Sequence, residues 1–262
     1  MYKALFEPIR IGSLELKNRI MFPPIVTGFE RTEEGLPVSD RFKKFQVERA
    51  KGGAGIIVIG VIGIPDPVRG IFPQARAWRM YEENIPRFRI LTDAIHAQGV
   101  KVAAQLTHGG RKFGARRFSA YPVSASSIPS WVGGPWPGWA IPRTLSIKEV
   151  EDKEKAFAVA ARRAKDAGFD AVQLHGAHGY LIWSFLSPLA NKRTDRYGGN
   201  PENRARFACE TVKLIKEKMG DDFPTMIRVN GSDHVEGGIT IKEAKAHAQL
   251  LEEAGVDAIN VS

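Results

Sequence analysis

Short apolar runs alternate along this chain with longer helix-like stretches. The short runs are typical of strands that are buried on both faces of a parallel sheet. They predict six strands, at residues 20–23, 55–59, 100–105, 171–174, 225–230 and 258–261. The stretches between them predict five helices, at residues 39–51, 84–97, 147–167, 201–219 and 241–254.

The ends of these helices carry their own sequence signals. Residues 146–149 and 240–243 read Ser-Ile-Lys-Glu and Thr-Ile-Lys-Glu, so each predicts a capping box at a helix entry. Asn200 before Pro201 predicts an N-cap followed by proline at the first helical position. A glycine such as Gly168 separates helix from strand, as expected of a left-handed helix stop.

Repeated strand–helix units predict an α/β fold with a parallel sheet covered by helices. An open doubly wound sheet would carry a glycine-rich phosphate loop after its first strand, whereas residues 23–28 read Pro-Pro-Ile-Val-Thr-Gly. The pattern therefore favours a (β/α)8 TIM barrel, which needs eight strands. With six strands and five helices, residues 1–262 are expected to form one incomplete barrel domain without its last two β-α units. Residues 109–143, rich in Pro, Gly, Ser and Trp, predict a lid or β-hairpin over the pocket mouth.

Composition narrows the classes of partner. The net charge is +9, but the basic residues are scattered, so nucleic acid is not an expected partner. Three explanations remain: a solvated basic surface, attraction of a phosphate-bearing ligand, or an acidic balance elsewhere in a longer chain. The apolar runs are too short to cross a membrane, and the N-terminus has no signal-peptide pattern. Cys209 is the only cysteine, which excludes a disulfide or a cysteine-ligated metal within these residues and fits a cytoplasmic location.

The most informative motif is His-Gly-Ala-His-Gly-Tyr at residues 175–180, which follows the fourth predicted strand. The motif is expected to lie in the first turn beyond the strand, where parallel α/β proteins place their chemistry. His175 and His178 could together hold one oxygen atom or one metal ion, and Tyr180 could donate a proton.

Polar residues at other strand ends bear on whether the two histidines hold an oxygen atom or a metal ion. Gln105 offers a donor and an acceptor, Arg228 is permanently charged, and Gly60 allows a planar ligand to approach the backbone. Carboxylates do not cluster at the strand ends in the sequence, which argues against a hard cation and against glycoside hydrolysis by paired carboxylates. The set suits a flat, polar heterocycle with an imide-like edge.

Several longer motifs resemble the old yellow enzyme family, which comprises FMN-dependent oxidoreductases on a (β/α)8 barrel. The matching stretches are Leu-Lys-Asn-Arg-Ile at 16–20, Gln-Leu-Thr-His-Gly-Gly-Arg at 105–111, and the runs 175–188 and 191–204. Residues 27–30, Thr-Gly-Phe-Glu, resemble the branch of dienoyl-CoA reductases and NADH:flavin oxidoreductases.

The resemblance implies a reaction and the residues that perform it. NAD(P)H would reduce FMN, which would pass hydride to an activated C=C bond of an α,β-unsaturated carbonyl or an enoyl- or dienoyl-CoA. By position, His175 and His178 would bind the substrate oxygen and Tyr180 would donate the proton. The residues implied to contact FMN are Pro24, Ile25, Val26, Thr27, Gly60, Gln105 and Arg228.

Two departures from the family accompany this resemblance. Val26 lies where the family often has Thr or Cys near flavin O4, so Thr27 is expected to take over that hydrogen bond. The second departure is that the family's main FMN-phosphate groups lie on the seventh and eighth strands, which residues 1–262 are not expected to include. The dienoyl-CoA branch also carries an iron–sulfur cluster after the barrel, so such a cluster is expected only outside these residues.

Two alternatives stay open at this stage. One is a metal-dependent barrel hydrolase or lyase that uses the His175–His178 pair, although no metal is expected because a third ligand is not obvious. The other is a truncated, non-catalytic barrel that serves as a binding module. The expected partners are small molecules, without nucleic acid or membrane, and the sequence leaves a homo-oligomer open.

Overall fold

A computed structural model describes residues 2–65, 78–112, 122–130 and 141–262. Near the N-terminus, strands β1 (Ile9–Ile11) and β2 (Leu14–Leu16) pair antiparallel, with Ile9 opposite Leu16. This small hairpin was not expected from the sequence, because each strand has only three residues.

The central sheet contains six parallel strands in the order β10-β9-β8-β5-β4-β3. Two further short strands, β6 and β7, form a separate parallel pair. The bounds are β3 (Met21–Phe22), β4 (Ile56–Gly63), β5 (Lys101–Thr107), β6 (Val123–Ser124), β7 (Arg143–Thr144), β8 (Ala171–Gly176), β9 (Thr225–Val229) and β10 (Ala258–Val261).

Helices connect the successive parallel strands. The helices are α1 (Asp40–Lys51), α2 (Ile85–His96), α3 (Ile147–Asp166), α4 (Leu181–Leu186), α5 (Pro201–Met219) and α6 (Ile241–Glu253). Short 3-10 turns occur at Lys3–Phe6, Glu82–Asn84 and Gly110–Lys112. The curved sheet with its helices is an incomplete (β/α)8 barrel, which confirms the predicted fold class.

Buried apolar side chains form two clusters, one on each face of the sheet. The larger cluster lies between the strands and the helices and includes Phe88, Phe157 and Phe207. The smaller cluster fills the inside of the curved sheet; its buried members are Ile11, Leu16, Ile56, Val58, Ala103, Ala171 and Met226. The β1–β2 hairpin thus packs against the inner face of the sheet and stabilises the end remote from the strand tips.

The helix signals predicted from the sequence are confirmed. Ser146 and Thr240 each accept a bond from the backbone three residues on, and the glutamate at that position bonds back in both cases. Asn200 caps α5 through its side chain, with Pro201 in the first turn.

Two expected strand ends are wrong. The fourth strand continues through Gly176, so His175 lies within β8 rather than in the turn beyond it. Gly60 likewise lies within β4, which runs four residues past its expected end at residue 59. The strands β6 and β7 pair parallel, so they are not the two strands of a hairpin; that residues 109–143 form a lid stays a prediction. Trp131, Trp136 and Trp139 lie outside the described residues.

Candidate active site

Polar side chains occupy inward-facing positions at the carboxyl ends of four adjacent strands. Because side chains alternate between the two faces of a strand, Gln173 and His175 share the inner face with Ala171. Strand register then places Gln105 beside Gln173, and Arg228 beside His175 on one side and Asn260 on the other. These residues form one polar surface above the inner apolar cluster.

The three residues expected to be catalytic lie together. The ring of His175 contacts both partners edge-on, with centroid distances of 5.1 Å to His178 and 4.6 Å to Tyr180. His175 is only 3% exposed, whereas His178 has an exposed surface. Two imidazoles and one phenol therefore meet at the mouth of the barrel.

His175 is held in its neutral form. Burial lowers its pKa to about 3, and the nearby charges of His178, Arg228 and Lys112 act in the same direction. Its Nδ1 accepts a hydrogen bond from the backbone N–H of Ala177 at 3.4 Å. A neutral imidazole that accepts at Nδ1 carries its proton at Nε2, so His175 presents a hydrogen-bond donor.

His178 is positioned by the next two strands. Its backbone has a φ of 60°, a left-handed conformation that few residues with a Cβ adopt, and its N–H donates to Asn230 Oδ1 at 3.3 Å. Its Nε2 lies 2.7 Å from the hydroxyl of Ser262, which also accepts a bond from Arg228 Nη2 at 3.1 Å. Burial lowers the pKa of His178, and Arg228 and Lys112 lower it further. Arg228, Ser262 and His178 thus form a hydrogen-bonded chain.

Tyr180 directly precedes α4 and is the N-cap residue of that helix. Burial raises the pKa of its phenol, so the hydroxyl keeps its proton at neutral pH. The Nζ of Lys112 lies 5.3 Å from the centre of its ring, over the face. The phenol is therefore a protonated group beside a cation.

Gln105, Gly60 and Pro24 form a close-packed wall next to this group. A Cβ placed on Gly60 would lie 2.6 Å from Pro24 Cβ and 2.7 Å from Gln105 Oε1. Only glycine fits there without displacing its neighbours, so the β4 backbone lies directly against Gln105. Gln105 is 1% exposed, and its Nε2 donates to Gln173 Oε1 at 2.8 Å.

The loop after β3 holds the remaining residues expected to contact FMN. Ile25 and Val26 are 41% and 67% exposed and present apolar surface to solvent. The hydroxyl of Thr27 donates to Glu30 Oε1 at 2.8 Å, and the Thr27 backbone N–H bonds the same oxygen. In this arrangement Glu30 receives the bond that Thr27 was expected to offer a flavin.

Arg228 does not pair with Asp233, the carboxylate near it in sequence. Asp233 instead accepts bonds from Trp183, Ser187, Asn230 and the backbone of Ile239, at 2.7–2.9 Å. The only side-chain bond that the structure gives Arg228, within the described residues, goes to Ser262. Burial lowers the pKa of Arg228, as expected for a cation without a carboxylate partner.

Sequence reasoning missed Gln173 and Ser262 at this site. Gln173 lies two residues before His175, so strand alternation would have located it had the strand been extended to Gly176. Ser262 follows β10 directly, and only the fold brings it to His178. His108, whose role was open, accepts a bond from the Gly110 N–H at Nδ1 and so supports the loop after β5.

Two features of the described ranges bear on metal binding and on membrane insertion. No group of three or more His, Cys, Asp or Glu side chains there could hold a metal ion. Within the same ranges, the helices are all too short or too polar to cross a membrane.

Comparisons with known proteins identify the family. Residues 4–262 match the model of the NADH:flavin oxidoreductase / NADH oxidase family. The chain belongs to this family. It is 40% identical over 258 residues to a metal reductase of Desulforamulus reducens, covering 98% of this chain and 37% of that protein. It is 38% identical over 262 residues to an NADPH dehydrogenase of Bacillus pumilus, covering 100% of this chain and 74% of the relative.

Solved structures similar to this chain have the same fold. A 2-naphthoyl-CoA reductase in complex with 2-naphthoyl-CoA superposes with a TM-score of 0.88 and 34% identity, over 100% of this chain and 41% of that one. An old yellow enzyme homologue from Zymomonas mobilis gives 0.85 and 28%, over 98% and 73%. The chain thus spans about two-fifths of the longer relatives and about three-quarters of the shorter ones.

The residues at the strand tips fit the flavin that the family name implies. Within the described residues, Gln173 Nε2, Thr107 Oγ1, Arg228 Nε and Asn260 Oδ1 are buried without a hydrogen-bond partner. Buried polar groups are normally satisfied, so four such atoms at one end of the barrel mark a place for a polar ligand. The flat wall at Gly60 and the unpaired cation of Arg228 match a planar ring that gains negative charge on reduction.

Proposed function

We propose that the protein is an FMN-dependent NAD(P)H oxidoreductase of the ene-reductase type, and that residues 1–262 belong to its FMN-binding barrel domain. One observation carries the proposal: a neutral imidazole pair and a protonated phenol lie beside a wall with a close backbone approach and an unpaired arginine. Family membership supports the same chemistry.

The proposed cofactor-binding residues are those that the family resemblance implies, and the close packing of Gly60, Pro24 and Gln105 supports them. Pro24, Ile25, Val26 and Gly60 would pack against the ring system, with Thr27 at its edge. Gln105 would bind the pyrimidine edge, and Arg228 would offset negative charge on the reduced ring. When bound, FMN supplies hydride transfer between NAD(P)H and the substrate. With the ring bound, these apolar side chains and the Gly60 backbone would shield its face from water.

The two histidines would bind the oxygen that activates the substrate alkene. His175 offers its Nε2–H, because its Nδ1 already accepts from Ala177. Ser262 accepts a bond from Arg228, so its own proton is available to His178 Nε2, which leaves Nδ1–H of His178 as the second donor. Two neutral donors aimed at one oxygen stabilise the negative charge that develops there as the alkene is reduced.

Tyr180 would supply the proton that completes the reduction. Its raised pKa keeps the hydroxyl protonated until the substrate carbon becomes basic. The adjacent Lys112 ammonium would stabilise negative charge on the phenolate after the transfer.

The proposed substrates are α,β-unsaturated carbonyl compounds or acyl-CoA thioesters. A solved relative binds 2-naphthoyl-CoA, and another relative is named a cinnamate reductase, so the family includes reductases of conjugated acyl compounds. A cytoplasmic location and a homo-oligomer are proposed with this function. An iron–sulfur cluster would need cysteines other than Cys209, whose thiol pKa burial raises to about 11.

The first test is the visible spectrum of the full-length protein after purification with added FMN. We expect one bound flavin, bleached by NADH or NADPH and restored by an unsaturated carbonyl compound. A pure, folded protein that binds no flavin would refute the proposal. Stoichiometric zinc in elemental analysis, without flavin, would instead support the metal-dependent hydrolase.

The second test is Tyr180→Phe, which removes the proposed proton donor. We expect alkene reduction to slow by about 10²–10⁴-fold, while flavin reduction by NAD(P)H keeps its rate. Stopped-flow absorbance separates the two half-reactions. Tyr197→Phe is the matched control, because it removes a hydroxyl from a fully buried tyrosine outside the site. Equal slowing in both variants, or none in either, would contradict the role of Tyr180.

A further inference from the structure

The buried side chain of Gln173 has no role in the proposed reaction, but it contacts Gln105, which is proposed to bind FMN. Gln173 is 0% exposed and pairs in register with Gln105 across β5 and β8. Its Oε1 accepts a bond from Gln105 Nε2 at 2.8 Å. Its own Nε2 is buried and finds no hydrogen-bond partner in the described part of the chain.

The bond to Gln173 determines which end of the Gln105 amide faces the ligand wall. An amide side chain has an acceptor oxygen and a donor nitrogen that differ in chemistry but hardly in shape. Because Nε2 of Gln105 is turned toward Gln173, its Oε1 is turned toward Gly60, where an added Cβ would lie 2.7 Å away. The wall therefore presents an acceptor, which complements the N–H of an imide edge.

Without Gln173 as acceptor, nothing in the described contacts of Gln105 would distinguish its two amide orientations. The residue at 173 must accept a hydrogen bond for the oxygen of Gln105 to stay at the wall. The inner neighbours of Gln173 along the strand are Ala171 and His175, and Ala171 has no side-chain acceptor. Register places Met226 on the other side of Gln173, which also leaves Gln105 as its hydrogen-bonding neighbour.

We propose that Gln173 is a positioning residue of the cofactor site: it fixes the amide of Gln105 so that an acceptor oxygen faces the imide edge of a bound flavin. This inference rests on the proposed function. The Nε2 of Gln173, which has no partner, supports this proposal. The other inward-facing atoms without a partner in the described residues also lie at the carboxyl ends of the strands.

The test is Gln173→Met in the full-length protein, since methionine keeps the length of glutamine and removes both polar atoms. FMN binding is measured by quenching of flavin fluorescence, and the absorption bands of bound flavin report hydrogen bonding at the pyrimidine edge. We expect the FMN Kd to rise roughly tenfold, with shifted bands. The unfolding temperature of the flavin-free protein should change little, because losing the unsatisfied Nε2 of Gln173 offsets the loss of the acceptor for Gln105 Nε2.

Gln46→Met is the matched control. Gln46 lies on α1, is 2% exposed, and also has a buried amide atom, Oε1, without a partner in the described residues. The same chemical change at equal burial should leave the FMN Kd and the flavin bands unchanged. An equal rise in both variants would show a general loss of packing and would overturn the inference.

Gln173→Glu distinguishes positioning from a direct contact with the ligand. A carboxyl oxygen still accepts the bond from Gln105, so we expect the FMN Kd to return to within about threefold of the original protein. A Glu variant as weak as the Met variant, or a Met variant that binds FMN normally, overturns the inference alone. Failure of the unaltered protein to bind FMN overturns the proposed function, and the inference with it.

Discussion

The neutral state of His175 makes a quantitative prediction about stability against pH. Its pKa is about 3 in the fold against 6.5 for a solvated imidazole. Between these values only the unfolded chain binds the proton, so the free energy of unfolding falls as pH falls through this window. Between pH 7 and pH 5 the loss from this one group is about 2 kcal/mol.

The assay is urea unfolding of the original protein and of His175→Gln at pH 7, 6 and 5, followed by circular dichroism. Glutamine has no titrating group, so the variant should lose about 2 kcal/mol less than the original protein over that range. The comparison uses the change with pH, because the substitution also alters stability at pH 7 by removing packing. Parallel curves for both proteins would refute the neutral, buried imidazole.

His247→Gln is the matched comparison for this experiment. His247 is 2% exposed, and burial lowers its pKa to about 4, but it lies on α6 outside the site. Its replacement should remove a pH slope in the same direction and leave FMN binding intact. His175→Gln should remove the slope and also impair substrate reduction.

Three further predictions follow from contacts in and around the site. Gly60→Val should raise the FMN Kd at least about tenfold in a fluorescence titration, because its side chain collides with Pro24 and Gln105. Asp233→Asn should lower the free energy of unfolding by about 2–4 kcal/mol in urea, since an amide nitrogen would face two donors that a carboxylate oxygen now accepts. Burial and the neighbouring Glu210 raise the pKa of Glu154 to about 8, so stability should fall as pH rises from 4.5 to 8. Glu154→Gln should lack that fall, and equal slopes in the two proteins would contradict the protonated carboxyl.

Signals confined to a few neighbouring residues were read correctly from the sequence. The capping boxes at Ser146 and Thr240 need only a hydroxyl and a glutamate three residues apart, and both form. The motif that contains His175 and Tyr180 also predicted their proximity, because five residues of chain cannot separate them far. Such features depend on local geometry alone.

Features that depend on a neighbouring strand were not predictable in this way. The strand β8 runs through His175 and Gly176 because each has a partner in β9, Arg228 and Val229. Histidine and glycine carry little strand signal of their own, so the sequence placed the strand end two residues too early. The same error hid Gln173, whose inward position becomes evident only when its strand includes His175.

The short elements α4, β6 and β7 were not predicted, for a different reason. Helix α4 has six residues, all buried, so it lacks the polar face from which helical periodicity is recognised. The parallel pairing of β6 and β7 joins residues twenty positions apart through only two residues in each strand. A two-residue strand has no period to detect, and its partner is set by tertiary packing.

Positive charge at the strand tips affects the wall at Gly60, the histidine pair and Tyr180 in the same way. Lys112 and Arg228 bring two cations, and in the described structure neither has a carboxylate within ion-pair distance. Asp233, the carboxylate closest in sequence to Arg228, is fully occupied by four other donors. Burial lowers the pKa values of His175 and His178, and the same cations lower them further, so both rings stay neutral donors. A positive site with neutral hydrogen-bond donors stabilises negative charge on the group that it binds. A reduced flavin and an enolate-like transition state both carry such charge.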